Sequence, residues 1–163
     1  MTRSSRTFTA ERTFADHEHR DLRPGMDRIH EVTRAIGLVA APDLSIILLD
    51  VLDWVDKVVE PHMAWEDGWL YPEMDRRAGT PWATKVMRFE HHQIRRAASR
   101  LEGDRERLRH EPDHDQACEL TSHLVTLETL VRAHVEREER LLLPLLDEAA
   151  MTAARDVTML DSA

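Results

Sequence analysis

Residues 62–75, HMAWEDGWLYPEMD, read as the end of an amphipathic helix whose inward stripe carries His62 and Glu66 where aliphatic side chains would be expected. Working back along the stripe gives Leu48, Leu52, Val55, Val59, His62, Glu66 and Trp69, in alternating steps of four and three. A second stripe, Leu120, Leu124, Leu127, Val131, His134, Glu138 and Leu141, repeats it 72 residues later at every position. The ends also match, with Pro72 over Pro144 and Asp75 over Asp147.

The same offset of 72 carries His19 onto His91, each preceded by a glutamate, Glu18 and Glu90. The neighbouring apolar positions agree, Leu22, Met26 and Ile29 against Ile94, Ala98 and Leu101. Each half of the chain therefore supplies one histidine from its first helix and a His-x-x-x-Glu pair from its second.

Composition agrees with helices throughout. The chain has 163 residues, 42% of them hydrophobic, with only five glycines and seven prolines, which favours one all-α domain. Apolar periodicity marks four segments, about 16–36, 43–75, 82–108 and 115–147, separated by GLVAAPD, RRAGTP and RHEPDHD. Thr80 and Pro81 suit the start of the third. Short links predict an antiparallel, up-down-up-down four-helix bundle of two pseudo-repeated helix pairs over 16–148. Residues 1–15 read as a flexible N-terminal arm and 149–163 as a C-terminal tail.

A formal charge of −9 disfavours nucleic-acid and anionic membrane partners. Basic clusters such as IRRAASR read as solvated faces. No stretch is long and apolar enough to span a bilayer, the first dozen residues lack an apolar signal core, and the single Cys118 cannot form an internal disulfide, so a cytoplasmic protein is expected.

Residues four apart lie one above the other on a helix, so His62 and Glu66 point to one spot, as do His134 and Glu138. Two buried carboxylates without lysine or arginine beside them on the stripe would cost several kcal/mol each. Metal ions remove that cost, and imidazole with carboxylate suits iron, manganese or zinc. One His-x-x-x-Glu alone would be an ordinary helix surface; six residues at one repeat offset, His19, His62, Glu66, His91, His134 and Glu138, are not. The di-iron pattern with Glu-x-x-His on two helices is missing, since only Glu111 precedes a histidine by three. His17, His30, His92 and His123 lie off the repeat and read as surface or boundary residues, with His92 the best placed exception. His110 and His114 fall in a loop. Trp69 falls on the ligand face and Tyr71 off it, and Pro24 and Pro61 should each bend a helix.

These motifs, EH at 18–19, HMAWEDGWLYP at 62–72, EHH at 90–92 and HVEREERLLLP at 134–144, resemble those of the hemerythrin family, specifically bacterial hemerythrin-like HHE cation-binding domains. The resemblance implies a non-haem di-iron centre with an oxo or hydroxo bridge. It makes His19, His62, His91 and His134 terminal ligands, and Glu66 and Glu138 bridging ones, with Glu139 as the alternative to Glu138. Oxygen carriers of the family have a second histidine where this chain has Arg95. That departure leaves a more open metal pair and favours turnover of peroxide or nitric oxide over reversible oxygen carriage. The resemblance thus implies a protein that binds or reacts with dioxygen, hydrogen peroxide or nitric oxide, with an electron donor as partner, as a monomer or weak homodimer. Alternatives are a dedicated peroxide- or nitric-oxide-consuming enzyme, and an iron or redox sensor working through a partner. The ligand set also admits zinc or manganese.

Overall fold

A computed structural model describes residues 4–144, with side chains described for 19–144 except 83; the segment 149–163, read above as a tail, lies outside the described residues. Four helical rods run through it. Helix α1 is Ser4–Ala35, so helix already extends through 4–15, the stretch read from sequence as an arm. Rod α2 joins Ala41–Trp54, Val55–Val59, Glu60–Trp65, Glu66–Leu70 and Tyr71–Ala78 end to end. Helix α3 is Trp82–Arg107, and α4 is His114–Arg137 continued through Glu138–Leu142. Among the described residues there is no strand, and no helix is long and apolar enough to cross a membrane.

Local chemistry places the rod ends. Asp113 accepts a hydrogen bond from the Gln116 amide at 2.9 Å, and the Gln116 side chain accepts from the Asp113 amide at 3.2 Å, a reciprocal cap that starts α4. Pro81, expected as the first residue of α3, is instead the residue that caps it, and Thr80 lies one position further out, its Oγ1 accepting from the Trp82 amide at 3.4 Å. Gly79, with φ of 65°, closes α2 in the left-handed conformation that other residues avoid.

Each rod packs on the next, and α4 returns to α1. The resulting helical bundle has one long apolar core, from Val32, Leu44 and Leu120 at one end to Met63 and Val135 near the other. A smaller apolar cluster of Leu70, Tyr71, Met74, Met87, Leu142 and Leu143 occupies the other side of the histidine and glutamate positions.

Three wider turns alter the stripes read from sequence. At Val55–Val59, Glu66–Leu70 and Glu138–Leu142 the backbone bonds span five residues; the amides of Glu60, Tyr71 and Leu143 reach the carbonyls of Val55, Glu66 and Glu138. Each such turn ends two residues before a proline, Pro61, Pro72 or Pro144. A proline has no amide hydrogen and crowds the carbonyl four residues back, and a wider turn relieves that crowding. The extra residue rotates the remainder of the rod relative to its beginning. Trp69 and Leu141, expected inside, are 73% and 64% exposed, while Leu70, Tyr71, Leu142 and Leu143 are buried in their place. Upstream of the first wider turn, Val51 is buried and Leu52 only half-buried.

Gly25 of α1 packs under Trp54 of α2, where an added Cβ would sit 2.0 Å from the indole ring. Gly25→Ala should therefore destabilise the protein by about 1–3 kcal/mol, measured by urea denaturation, and adding Trp54→Ala should recover part of that loss. An unchanged midpoint for Gly25→Ala would show that Trp54 is not packed there.

Candidate metal centre

All six repeat residues converge. His19, His62, Glu66, His91, His134 and Glu138 are each at most 2% exposed, although they come from four different rods. Their ligand atoms form two groups, one of His19, His62, Glu66 and Glu138 and one of Glu66, His91 and His134, each within 4.8 Å and each able to hold a metal ion.

Glu66 belongs to both groups, and its two oxygens divide between them. Oε1 lies 2.9 Å from His62 Nε2 and 3.9 Å from His19 Nε2. Oε2 lies 3.0 Å from His91 Nε2 and 3.5 Å from His134 Nε2. Glu138 Oε2 is 3.1 Å from His19 Nε2 and 4.0 Å from His134 Nε2, so it also reaches one imidazole of each pair.

Outer carboxylates turn the rings. Glu139 Oε1 is hydrogen-bonded to His19 Nδ1 at 3.2 Å, and Glu90 Oε2 to His134 Nδ1 at 3.2 Å. Asp67 Oδ2 lies 3.1 Å from His91 Nδ1, within ion-pair range although at a poor hydrogen-bond angle. A carboxylate on Nδ1 keeps the proton on that atom and leaves Nε2 as a lone-pair donor toward the cage. Arginines hold these carboxylates in turn: Arg137 pairs with Glu90, while Arg88 and Arg95 approach Asp67 at 3.7 Å. Glu139, the sequence alternative to Glu138, is therefore an outer partner of His19 and not a member of the cage. Arg95 sits outside as well, in a two-pronged pair with Glu60.

The donor set fits a cation. His91 Nε2 and His134 Nε2 face each other at 3.2 Å, each with a carboxylate near its other nitrogen; with the protons on Nδ1 the two lone pairs would converge, and a cation relieves that repulsion. Glu138 Oε1 is buried with no hydrogen-bond donor among the described residues. Burial alone would push the Glu66 carboxyl up, but the surrounding imidazoles outweigh it and hold its pKa well below the usual range. Burial, then the charge of Glu66, push Glu138 up. A bound cation reverses the pressure on Glu138.

Tyr71 is the residue that sequence reasoning missed. It is fully buried, with its hydroxyl 3.4 Å from Glu66 Oε2 and 3.3 Å from His91 Nε2. Helical steps of three and four put it off the face; only the wider turn at Glu66–Leu70 brings it in, and Pro72 beside it was the available signal. Its repeat counterpart is Leu143, so the two sides of the cage differ here. Of the other histidines, His30, His92, His110 and His114 are exposed, and His123 pairs with Asp104 far along the chain from the cage. The side chain of His17 is outside the described set.

The four rods together form a helical bundle whose buried imidazoles and carboxylates make two groups that could each hold a metal ion. The Hemerythrin HHE cation binding domain model matches residues 12–146, and the chain belongs to that family. Comparisons with curated proteins and with solved structures return no match.

Burial of His19 pulls its pKa down, but its hydrogen bonds to Glu138 and Glu66 outweigh this and raise it from 6.5 to about 10. A raised folded value means stability that is complete below 6.5 and lost as pH rises toward 10. Melting temperatures of the metal-free chain should fall across that window, and His19→Gln should lack this component. Metal-loaded protein should lack it too, because a ligated imidazole has given up its proton. Equal pH profiles for the metal-free wild type and His19→Gln would refute the assignment.

Proposed function

We propose that this chain is a non-haem di-iron protein of the hemerythrin-like kind, which binds or reacts with dioxygen, hydrogen peroxide or nitric oxide. The observation that carries the reading is the division of the Glu66 oxygens between two histidine pairs, the arrangement needed to bridge two metal positions. In this reading His19, His62, His91 and His134 are terminal ligands, Glu66 and Glu138 bridge, and the rods alternate in direction as an up-down-up-down bundle. Those six residues would hold two iron ions, which would supply one-electron redox chemistry to a small ligand.

The residues of the chain do the rest. Glu139 and Glu90 hold a proton on Nδ1 of His19 and His134 and so aim each Nε2 inward, and Asp67 places a negative charge beside Nδ1 of His91. Apolar side chains on both sides, Met63 and Val135 toward the core and Leu70, Leu142 and Leu143 beyond, keep bulk water away and favour small uncharged ligands. Burial, and then the charges of Glu138 and Glu66, raise the pKa of Tyr71. Its hydroxyl therefore keeps its proton and is a fixed hydrogen-bond donor beside the centre.

Elemental mass spectrometry on protein from iron-supplied cells should give about two irons per chain, as two-metal chemistry requires. Glu66→Ala should lower this below one, because both positions share that carboxylate, whereas Glu139→Ala should stay near two. Zinc as the sole metal in a folded chain, or unchanged iron in Glu66→Ala, would overturn the reading. Steady consumption of peroxide or nitric oxide by the loaded protein would make it an enzyme; ligand binding without turnover would make it a carrier or sensor.

A further inference from the structure

The outer face of α3 has no acidic residue at any exposed position from Trp82 to Arg100, in a chain whose formal charge is −9. Its first two turns expose Trp82, Val86 and Phe89 at 70%, 54% and 62%, spaced four and three apart and hence on one side of the helix. Lys85 lies over the Trp82 ring at 4.6 Å, and Arg96 and Arg100 continue the face beyond Phe89. Among the described residues, Lys85, Arg96 and Arg100 have no acidic partner, unlike Arg88 and Arg95, which are tied to α2. The one acid in this part of α3, Glu90, is turned toward α4, where Arg137 and His134 hold it. Three aromatic and aliphatic side chains in water next to three cations without an acidic partner make a surface with an apolar anchor and a positive rim, the arrangement of protein docking sites.

We infer that this face docks an acidic one-electron carrier protein. Charge complementarity selects the partner, since the face presents Lys85, Arg96 and Arg100 with no exposed acid among them. The position of the face supplies the reason: His91 of the cage lies on the same helix between Phe89 and Arg96, so a carrier seated there is about one helix diameter from the centre. The carrier gives up one electron and the centre gains it, with no atom transferred. A lipid surface fits less well. Interfacial helices carry apolar and basic sectors side by side along their length, whereas here the apolar turns precede the basic ones. The electron-donor role rests on the di-iron reading; the docking itself does not.

The test measures binding of the metal-loaded full chain, its iron content determined beforehand, to two acidic carriers, a plant-type [2Fe–2S] ferredoxin and a flavodoxin. At least one should bind, more weakly as salt rises. Arg96→Glu combined with Arg100→Glu, and separately Phe89→Ser, should each weaken that binding at least about tenfold, while Lys57→Glu on α2 should not. Helical signal and metal content should be unchanged in every variant. Failure of both carriers to bind, or equal binding by the Arg96/Arg100 variant, overturns the inference. So does binding to phosphatidylserine-containing vesicles that is lost in the variants while the carriers are ignored. A chain without iron that still docks a carrier strikes the redox reading alone, and two irons without docking strikes this inference alone.

Discussion

Two carboxylates buried among four imidazoles, with no lysine or arginine in the cage, set the terms for everything around them. Glu66 and Glu138 are 0% exposed and come from neighbouring turns of different rods. Such a pair can stay ionised in an apolar bundle only beside positive charge, whether protons on the histidines or metal ions. His19 shows the first solution in its raised pKa, and the facing Nε2 atoms of His91 and His134 show how the second is prepared. Protons and metal thus compete for the same nitrogens, which couples the stability of the bundle to what the cage holds.

Prolines give the cage its shape. The turns that begin at Glu66 and Glu138 are widened by one residue ahead of Pro72 and Pro144, and the residues this rotation turns inward, Leu70, Tyr71, Leu142 and Leu143, join Met74 and Met87 in the apolar cluster beyond the cage. Wider turns of this kind often occur at functional sites, because they change side-chain direction without ending the helix. On α2 the same rotation delivers Tyr71 to Glu66 and His91, while on α4 it delivers Leu143. A two-fold repeat in sequence therefore becomes a cage with one polar and one apolar flank.

Arginine is kept out of the cage but is used around it. Arg137, Arg88 and Arg95 hold Glu90 and Asp67, and those carboxylates orient His134 and His91. Charge is graded outward in shells: carboxylates and imidazoles at the centre, carboxylates behind the rings, guanidinium groups near the surface. On the outer face of α3, Lys85, Arg96 and Arg100 have no acidic partner among the described residues, and the exposed Trp82 and Phe89 lie on the same face.

The repeat of 72 residues and the periodicity of apolar positions determined the number of rods, the helical class and all six cage residues, because a histidine or glutamate on an apolar stripe stands out against any surface alternative. Tertiary structure decided three further things. Trp69 and Leu141 face out and Tyr71 faces in, because hydrogen-bond register in a helix depends on how a proline is accommodated, and residue types alone do not report it. Glu139 and Asp67 serve as outer partners, because which of two adjacent carboxylates enters a cage depends on the rotation of the rod. The split of the Glu66 oxygens between two histidine pairs arises only when four rods meet, since each pair joins residues more than 40 positions apart in the chain.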